Sequence, residues 1–271
     1  MKPAWAWQFE EGALDRAPEL DLDTPITREW ALGGATGAGV KVAVVDSGID
    51  ENHPQVGAVQ GAVALDFDPR TPGGIRAVEG PHEDLFGHGT ACAGIIRAIA
   101  PDCGLYSVRV LGERLTGKGV VFAAGIRWAI EHGINVLNLS LSTGARAHFG
   151  RFHEVVDAAY FGRTMLVSAI SNVRGRSYPS EFGGVFSVAS TEGEDPFEFS
   201  YNPNGPAEFG APGIGLRVPW LEGSTIRATG NSFAAPQIAG LIALILSKHP
   251  GLTPFQVKTI LAACASNTRG G

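Results

Sequence analysis

Short runs of apolar residues alternate with longer helix-like segments along most of this chain. Five runs have the length and β-branched content of buried strands, and they cover residues 40–45, 105–111, 134–141, 164–170 and 185–190. Helix-like stretches separate most of them, such as "TACAGIIRAIA" and "VVFAAGIRWAIEHG". Strands that are apolar on both faces and alternate with helices are typical of a sheet covered on each side. We therefore predict an α/β fold of three layers (αβα) with a mainly parallel, twisted sheet.

A further helix-like segment, residues 233–248, is apolar on almost every face and is predicted to be buried. Ser232 directly precedes it, in the stretch "TGNSFAAP". Serine is a preferred N-cap because its side-chain oxygen accepts a hydrogen bond from a free backbone N–H of the first turn. Pro236 suits that turn, where a missing N–H costs no hydrogen bond. The pattern alone therefore accounts for Ser232 as a helix cap.

Composition and charge narrow the possible functions. The 271 residues are 44% hydrophobic and 18% charged, which is ordinary for a globular protein with a sizeable core. We predict one domain over residues 1–271, in which residues 1–29 are an N-terminal extension that packs on the rest. A net charge of −6 without a cluster of basic residues argues against a nucleic-acid partner. The longest apolar run, residues 238–246, is too short to span a membrane.

The cysteines and the N-terminal residues bear on location. Cys92, Cys103 and Cys264 are too few and too scattered for a disulfide framework. Neither C-x-x-C nor H-E-x-x-H occurs, so we predict no zinc site and no cofactor. Glu10 and Glu11 interrupt any apolar signal-peptide core. We therefore expect a cytoplasmic protein rather than a secreted one.

Polar residues stand where several predicted strands end. Asp46 follows the first run, Ser140–Ser142 the third, and Asn172 the fourth. Because parallel strands share one carboxyl edge, where active sites form in such sheets, these residues are expected to meet there. His88 lies between two glycines at the start of a predicted helix, where another backbone or a substrate can approach closely. Taken singly, such an aspartate is usually a turn former, and such a histidine a surface residue.

Together, Asp46, His88 and Ser232 supply what nucleophilic catalysis needs: a hydroxyl, an imidazole that takes its proton, and a carboxylate that orients the imidazole. The surrounding motifs resemble those of the subtilases, the subtilisin-like serine peptidases, in the same chain order. The family's aspartate, histidine and serine motifs match "VAVVDSGIDENHP", "GHGTACAG" and "GNSFAAP". Other family segments match "INVLNLSLS", "YPSEFGGVFSVAS" and "FGAPG". The resemblance extends from about Trp30 to Ala265.

The resemblance implies a subtilisin-like fold and a serine endopeptidase that acts on a peptide or protein substrate. Ser232 would attack the scissile carbonyl, His88 would act as base and then as acid, and Asp46 would hold the imidazole. Asn172 matches the family's oxyanion asparagine and would act with the Ser232 backbone N–H. The positive end of the helix dipole would favour the same site, which makes Ser232 both cap and nucleophile.

The resemblance also assigns residues that bind substrate. Two segments would hold an extended peptide by strand addition, and they are Leu115, Thr116 and Gly117, and Ser140, Leu141 and Ser142. Ser142 and Ser171 stand where the family commonly has glycine, along the walls of the primary specificity pocket. Their side chains would narrow it, so we expect a bias against Trp and Tyr before the scissile bond.

Departures from the family pattern affect the nucleophile and the metal sites. Asn231 and Phe233 replace the usual Thr and Met beside Ser232, and we expect activity to survive. The usual calcium-binding insertion is absent, and Gln55 follows the "HP" of the aspartate motif, so no metal site is predicted. EDTA is then expected to change the melting temperature little.

The remaining acidic pairs, Asp21/Asp23 and Asp66/Asp68, are expected to be solvated surface charge. No segment resembling a family pro-region precedes the matching motifs, which adds to the expectation of a cytoplasmic enzyme.

Three functions stay open from the sequence. The leading hypothesis is a serine endopeptidase, including a dedicated peptide-processing protease. A subtilase-like acyl transferase or macrocyclase would pass the same acyl group to an amine instead of water, which product mass would reveal. A catalytically inactive peptide-binding module is the third, and the intact set of Asp46, His88, Asn172 and Ser232 argues against it. Neither G-x-S-x-G around Ser232 nor a Walker A motif is present.

Overall fold

The side chains of the strand that ends at Asp46 alternate between two hydrophobic cores. In a computed structural model, which describes residues 6–9 and 25–268, this strand is β1 (Lys41–Asp46). Its Val42 and Val44 belong to one core, and Ala43 and Val45 belong to the other. Because successive strand residues point to opposite faces, this alternation places a helical layer on each side of the sheet.

The strands and helices occur in the following order. The other strands are β2 (Val59–Phe67), β3 (Ile75–Glu79), β4 (Gly104–Arg109), β5 (Val136–Leu139), β6 (Met165–Ala169), β7 (Phe186–Thr191), β8 (Ser200–Tyr201), β9 (Phe209–Pro212), β10 (Leu216–Pro219) and β11 (Thr225–Ala228). The helices are α1 (Arg28–Leu32), α2 (His88–Ile99), α3 (Gly119–Glu131), α4 (Phe149–Phe161), α5 (Asn231–Lys248) and α6 (Pro254–Cys264). Helices α1, α2, α5 and α6 contribute to the first core, and α3 and α4 contribute to the second.

The sheet has nine strands in the order β3-β2-β4-β1-β5-β6-β7-β9-β8. Neighbouring strands from β2 to β9 pair in parallel, and the edge strands β3 and β8 are antiparallel. The predicted three-layer fold with a mainly parallel sheet is therefore confirmed. All five predicted strands occur, as β1, β4, β5, β6 and β7. The hairpin of β10 and β11 lies outside this sheet.

Helix α5 runs through the first core and is buried from Phe233 to Leu246, as predicted. It crosses α2 closely, since a Cβ atom added to Gly240 would lie 2.8 Å from the Ile99 Cβ. The first turns of the two helices also meet, where the rings of His88 and Phe233 are 5.3 Å apart. This crossing brings the start of α5 beside the start of α2.

Helix α1 packs against the last two helices, α5 and α6. Arg28 Nε donates a hydrogen bond of 2.8 Å to the Cys264 carbonyl, and Lys248 Nζ donates one of 2.7 Å to the Glu29 carbonyl. The predicted N-terminal extension covers residues 1–29. Of these, residues 1–5 and 10–24 lie outside the described residues, and Ala6–Phe9 form a short helical turn. Among the helices that the structure describes, none is long and apolar enough to cross a bilayer.

Candidate active site

The buried pair of Asp46 and His88 forms the base of the site. Asp46 is the last residue of β1 and is fully buried, and His88 is the first residue of α2. His88 Nδ1 lies 2.9 Å from each carboxylate oxygen of Asp46. The Ser47 backbone N–H donates a further bond of 2.8 Å to Asp46 Oδ1. A carboxylate in this position holds the proton on Nδ1, which leaves Nε2 free to accept one.

Two glycines let the histidine loop approach its neighbours. Gly87 has a φ of 104°, and a Cβ atom there would lie 2.6 Å from the Trp220 ring. A Cβ atom on Gly89 would lie 2.0 Å from the Gly48 carbonyl oxygen. Since a side chain at either position would collide with its surroundings, the Gly-His-Gly sequence is required for Asp46 and His88 to meet.

The environment of the His88 imidazole favours its charged form on balance. Burial opposes the charged form and would by itself lower the pKa of His88. The charge and the hydrogen bond of Asp46 outweigh burial, and the charge of Asp84 adds to them, so the pKa of His88 is raised above its ordinary value. The site therefore stabilises the imidazolium that proton transfer from a serine would create.

Asp84 is a second buried carboxylate at the site, and the sequence analysis did not single it out. Its Oδ1 accepts hydrogen bonds from the Ser47 hydroxyl (2.7 Å) and from the Phe86 and Gly87 N–H groups (3.0 and 2.8 Å). Its Oδ2 accepts from the Thr90 N–H and hydroxyl (2.9 and 2.6 Å). This carboxylate therefore caps the start of α2. The feature of the sequence that could have pointed to Asp84 is its position four residues before His88.

Ser232 is the second residue of α5, and the prediction that it is the helix N-cap is wrong. The N-cap is Gly230, which is extended with φ 161° and ψ 155°. The first free N–H of the helix, that of Asn231, donates instead to Asn172 Oδ1 at 2.9 Å. A side chain from another segment thus satisfies the helix end, and the Ser232 hydroxyl is not used for capping.

The Ser232 hydroxyl lines a cavity of about 260 Å³ together with His88, Ser140 and Asn172. No hydrogen bond joins this hydroxyl to His88 among the described residues, and such bonds often tighten only when substrate binds. Beneath the cavity, the Ser140 hydroxyl donates a bond of 2.7 Å to the Ser232 carbonyl. Asn138 Nδ2 donates to the Ser140 hydroxyl at 3.0 Å. The backbone of Ser232 is therefore held from the end of β5.

Asn172 lies in the loop after β6, on the other side of the same cavity. A Cβ atom added to Gly230 would lie 3.3 Å from Ser232 Oγ and 3.6 Å from Asn172 Nδ2. The serine hydroxyl and the amide nitrogen therefore both flank the side-chain-free face of Gly230. Because Asn172 Oδ1 is occupied by the Asn231 N–H, its amide nitrogen remains available as a donor.

The residues assigned to substrate binding surround two adjoining cavities. Leu115, Ser140, Leu141, Ser142 and Ser171 line the cavity that contains Ser232. A second cavity of about 570 Å³ is lined by Thr116 and Gly117, and it shares Leu115, Leu141 and Ser142 with the first. Phe67, Leu111 and Phe122 make part of this second cavity apolar. The structure thus brings all the assigned residues into one cleft.

Cys92 is buried close to Asp46, His88 and the backbone of Ser232. Its sulfur is 3.2 Å from the Ser140 hydroxyl and 3.6 Å from the Ser232 carbonyl oxygen. Burial, with a contribution from the charge of Asp46, raises the pKa of the Cys92 thiol well above its usual value. The thiol is therefore neutral at physiological pH and behaves as a small buried side chain.

Candidate metal ligands are already paired with other protein groups. Asp46, His88 and Cys92 bring ligand atoms within 4.8 Å of one another, but the first two are joined by their own hydrogen bonds. Asp66 pairs with Arg76 at 3.2 Å, and Asp68 with Arg70 at 2.9 Å. Asp21 and Asp23 lie outside the described residues. The expected insensitivity to EDTA stays a prediction.

Comparisons with known proteins identify the family. The family model described as the subtilase family matches residues 37–271. Subtilisin E of Bacillus subtilis (strain 168) is 34% identical over 252 residues, which cover 86% of this chain and 62% of that protein. Subtilisin of Bacillus pumilus is also 34% identical over 252 residues, with 86% of each chain covered.

A solved structure of similar shape is the crystal structure of a cold adapted subtilisin-like serine proteinase. It is 26% identical, covers 88% of both chains and gives a TM-score of 0.71. The matched residues include the starts of α2 and α5, where His88 and Ser232 lie. The predicted resemblance is therefore confirmed. The chain belongs to the subtilase family of serine endopeptidases.

Proposed function

We propose that this chain hydrolyses peptide bonds through an acyl-enzyme formed on Ser232. The observation that carries the proposal is the buried Asp46–His88 pair, with 2.9 Å hydrogen bonds, on the cavity that Ser232 lines. Each group required for activating a serine is present within that cavity or directly below it.

In the acylation step, Ser232 Oγ attacks the carbonyl carbon of the scissile peptide while His88 Nε2 takes the hydroxyl proton. Asp46 stays ionised, holds the proton on Nδ1 and stabilises the imidazolium. The tetrahedral intermediate then collapses when its C–N bond breaks. His88 gives the proton to the leaving amine, and the acyl group remains as an ester on Ser232.

In the deacylation step, water replaces the amine. His88 removes a proton from the water as it attacks the ester carbonyl, and then returns that proton to Ser232 Oγ. The products are a carboxylic acid and the free enzyme.

The developing negative charge on the carbonyl oxygen is met by Asn172 Nδ2 and by the Ser232 backbone N–H. The latter belongs to the first turn of α5, whose N–H groups and dipole favour an anion. Support for this role comes from the Asn231 N–H, which engages Asn172 Oδ1 at 2.9 Å and leaves the amide nitrogen free. Removing such a donor costs about 100- to 1,000-fold in kcat.

The substrate would be a peptide or an extended protein segment, laid between residues 115–117 and residues 140–142. These segments border both cavities of the cleft, so at least two substrate side chains would be enclosed. A role as a dedicated processing protease would follow from strict selection at these cavities. The cytoplasmic location stays a prediction, and fractionation of the native host's cells would test it.

Intact-mass labelling with a fluorophosphonate tests the nucleophile. The native chain should gain one adduct, and Ser232→Ala should gain none. Ser247→Ala is the matched control, because Ser247 lies near the other end of the same helix and should leave labelling unchanged. A folded native chain that takes no label, or a label that survives Ser232→Ala, would contradict the proposal.

The fate of the acyl group is read from product mass on a peptide substrate. Hydrolysis adds the mass of one water across the two products, whereas transfer to an amine or cyclisation does not. Products without added water would indicate that the chain catalyses acyl transfer instead of hydrolysis. Binding of the peptide without labelling or turnover would indicate an inactive binding module.

A further inference from the structure

Asn231, the neighbour of the proposed nucleophile, connects three separate segments of the chain. Its Oδ1 accepts a hydrogen bond of 2.8 Å from the Ser190 N–H in β7. Its Nδ2 donates to the carbonyls of Ile170 (3.0 Å) and Ser171 (3.3 Å) in the loop after β6. A flipped amide would set its NH₂ group against the Ser190 N–H and its oxygen against two carbonyl oxygens. The contacts therefore fix one orientation of this side chain.

The backbone of Asn231 makes a fourth contact, with the oxyanion asparagine itself. Its N–H donates to Asn172 Oδ1 at 2.9 Å. Side chain and backbone together thus hold three consecutive residues, Ile170 to Asn172, against the start of α5. One of the two oxyanion donors belongs to this loop, and the other is the N–H of Ser232, the next residue in the helix.

The loop needs such an anchor because its outer part is solvent-exposed. Residues 172–176 are exposed, and Val173 is 74% exposed. The other hydrogen bonds of residues 170–173 run within the loop or to β7: the Ser171 N–H donates to the Ser177 hydroxyl (2.9 Å), the Val173 N–H to the Ser171 hydroxyl (3.3 Å) and the Ile170 N–H to the Val188 carbonyl (2.9 Å). Among the described residues, the hydrogen bonds of Asn231 are therefore those that join this loop to α5.

We propose that Asn231 is a positioning residue that sets the separation of the two oxyanion donors, by locking residues 170–172 to the first turn of α5. This inference rests on the proposed function. Asn231 does not touch the reacting atoms and acts through Asn172. A threonine hydroxyl, the group that the family usually has here, carries a single donor hydrogen and cannot bond both carbonyls.

A double-mutant cycle tests the inference. Values of kcat and KM for peptide hydrolysis are measured for the native chain, Asn231→Ala, Asn172→Ala and the double variant. Asn231→Ala should lower kcat about 10- to 100-fold with little change in KM, because a misplacement of about 1 Å can cost about 100-fold. In the Asn172→Ala background the same change should cost less than threefold, since the donor that it positions is gone.

Two further variants separate positioning from general stability. Asn267→Ala removes an asparagine that also makes two backbone hydrogen bonds, both of 2.8 Å to Tyr201 at the far edge of the sheet. It should leave kcat unchanged. Asn231→Thr should show a smaller loss of kcat that also disappears in the Asn172→Ala background, and it serves for the cycle if Asn231→Ala does not fold.

The outcomes distinguish this inference from the proposed function. A native chain that neither hydrolyses peptide nor takes a fluorophosphonate overturns both. An active native chain in which the Asn231 variants keep full kcat, or lose the same factor with and without Asn172, overturns the positioning role alone.

Discussion

The Ser140 hydroxyl holds the backbone of Ser232 from below through a 2.7 Å hydrogen bond to its carbonyl oxygen. Ser140 is itself buried and receives bonds from Asn138 Nδ2 and the Cys92 thiol. A polar cluster at the end of β5 therefore supports the proposed nucleophile, Ser232, which lines the cavity on the other side.

Ser140→Ala should lower both stability and activity. The Ser232 carbonyl and the Asn138 amide would lose their partner in a buried place, which costs about 1–3 kcal/mol of unfolding free energy. Loss of kcat should accompany it because the nucleophile's backbone is freed. Urea denaturation and peptide hydrolysis measure the two effects. Ser247→Ala, which removes a hydroxyl bonded to Leu244 on the same helix, should affect stability alone. Equal kcat in both variants would contradict this role of Ser140.

Activity and His88-linked stability should change in opposite directions with pH. Since the pKa of His88 is raised, mainly by Asp46 against the effect of burial, kcat/KM should rise with pH through a value above about 6.5. A raised pKa in the folded state also means that His88 stabilises the fold at pH below about 6.5, and that this stabilisation is lost as pH rises through the folded-state value.

The change His88→Gln makes the second effect measurable. It should reduce the unfolding free energy more at pH 6 than at pH 9, in denaturant titrations at both values. A reduction that is independent of pH, or an activity limb centred below the ordinary histidine pKa, would contradict the dominance of Asp46 over burial.

Leu115 should control both backbone strain and the shape of the cleft. Its φ of 53° is left-handed, and its side chain lies where the two cavities adjoin. Leu115→Gly should be more stable than Leu115→Ala by about 1 kcal/mol, because only glycine adopts this conformation without strain. Both variants should accept larger substrate side chains in a peptide-library assay.

Arg163 provides the matched control for Leu115. Its φ is 60°, and it lies in the turn between α4 and β6. Arg163→Gly should again be more stable than Arg163→Ala in thermal melts, with no change in peptide preference. If the Ala variant at position 115 proves the more stable, or if neither variant alters preference, the assignment of Leu115 fails.

Two serines in the cavity that Ser232 lines should limit the size of the substrate side chain before the scissile bond. Ser142 and Ser171 line the cavity of about 260 Å³, and the Ser171 hydroxyl accepts a 3.3 Å bond from the Val173 N–H. Ser142→Gly and Ser171→Gly should raise kcat/KM after Trp and Tyr relative to Ala and Leu. A native chain that cleaves equally after all four residues would contradict the restriction.

The strongly apolar elements could be predicted from sequence, and the edge of the sheet could not. Strands such as β1 are buried on both faces and read as continuous apolar runs. Strand β2 was missed because it is exposed at both ends and contains glycine, and β3 because most of its residues are exposed. Their pairing with each other and with β4 stabilises them, and that long-range contact leaves no local pattern.

The meeting of Asp46, His88 and Ser232 at one cavity could be expected because each lies in a distinctive motif, whereas the groups that support them could not be predicted. Asp84 looks like an ordinary turn residue until its five hydrogen bonds are seen, four from residues 86–90 around His88 and one from the Ser47 hydroxyl. The cap at Ser232 was misassigned because the first free N–H of α5 is satisfied by Asn172, 59 residues away in sequence. Local rules for helix ends do not include partners supplied by another loop.

The two halves of the proposed oxyanion site belong to parts of the fold with very different local stability. Ser232 lies at the start of α5, which is buried from Phe233 to Leu246, so we expect the amides in the interior of that helix to exchange with solvent only when the core opens. Asn172 lies in an exposed loop that opens at much lower free energy. We therefore expect the loop to fray on mild heating before the core melts, and activity lost at that stage to return on cooling.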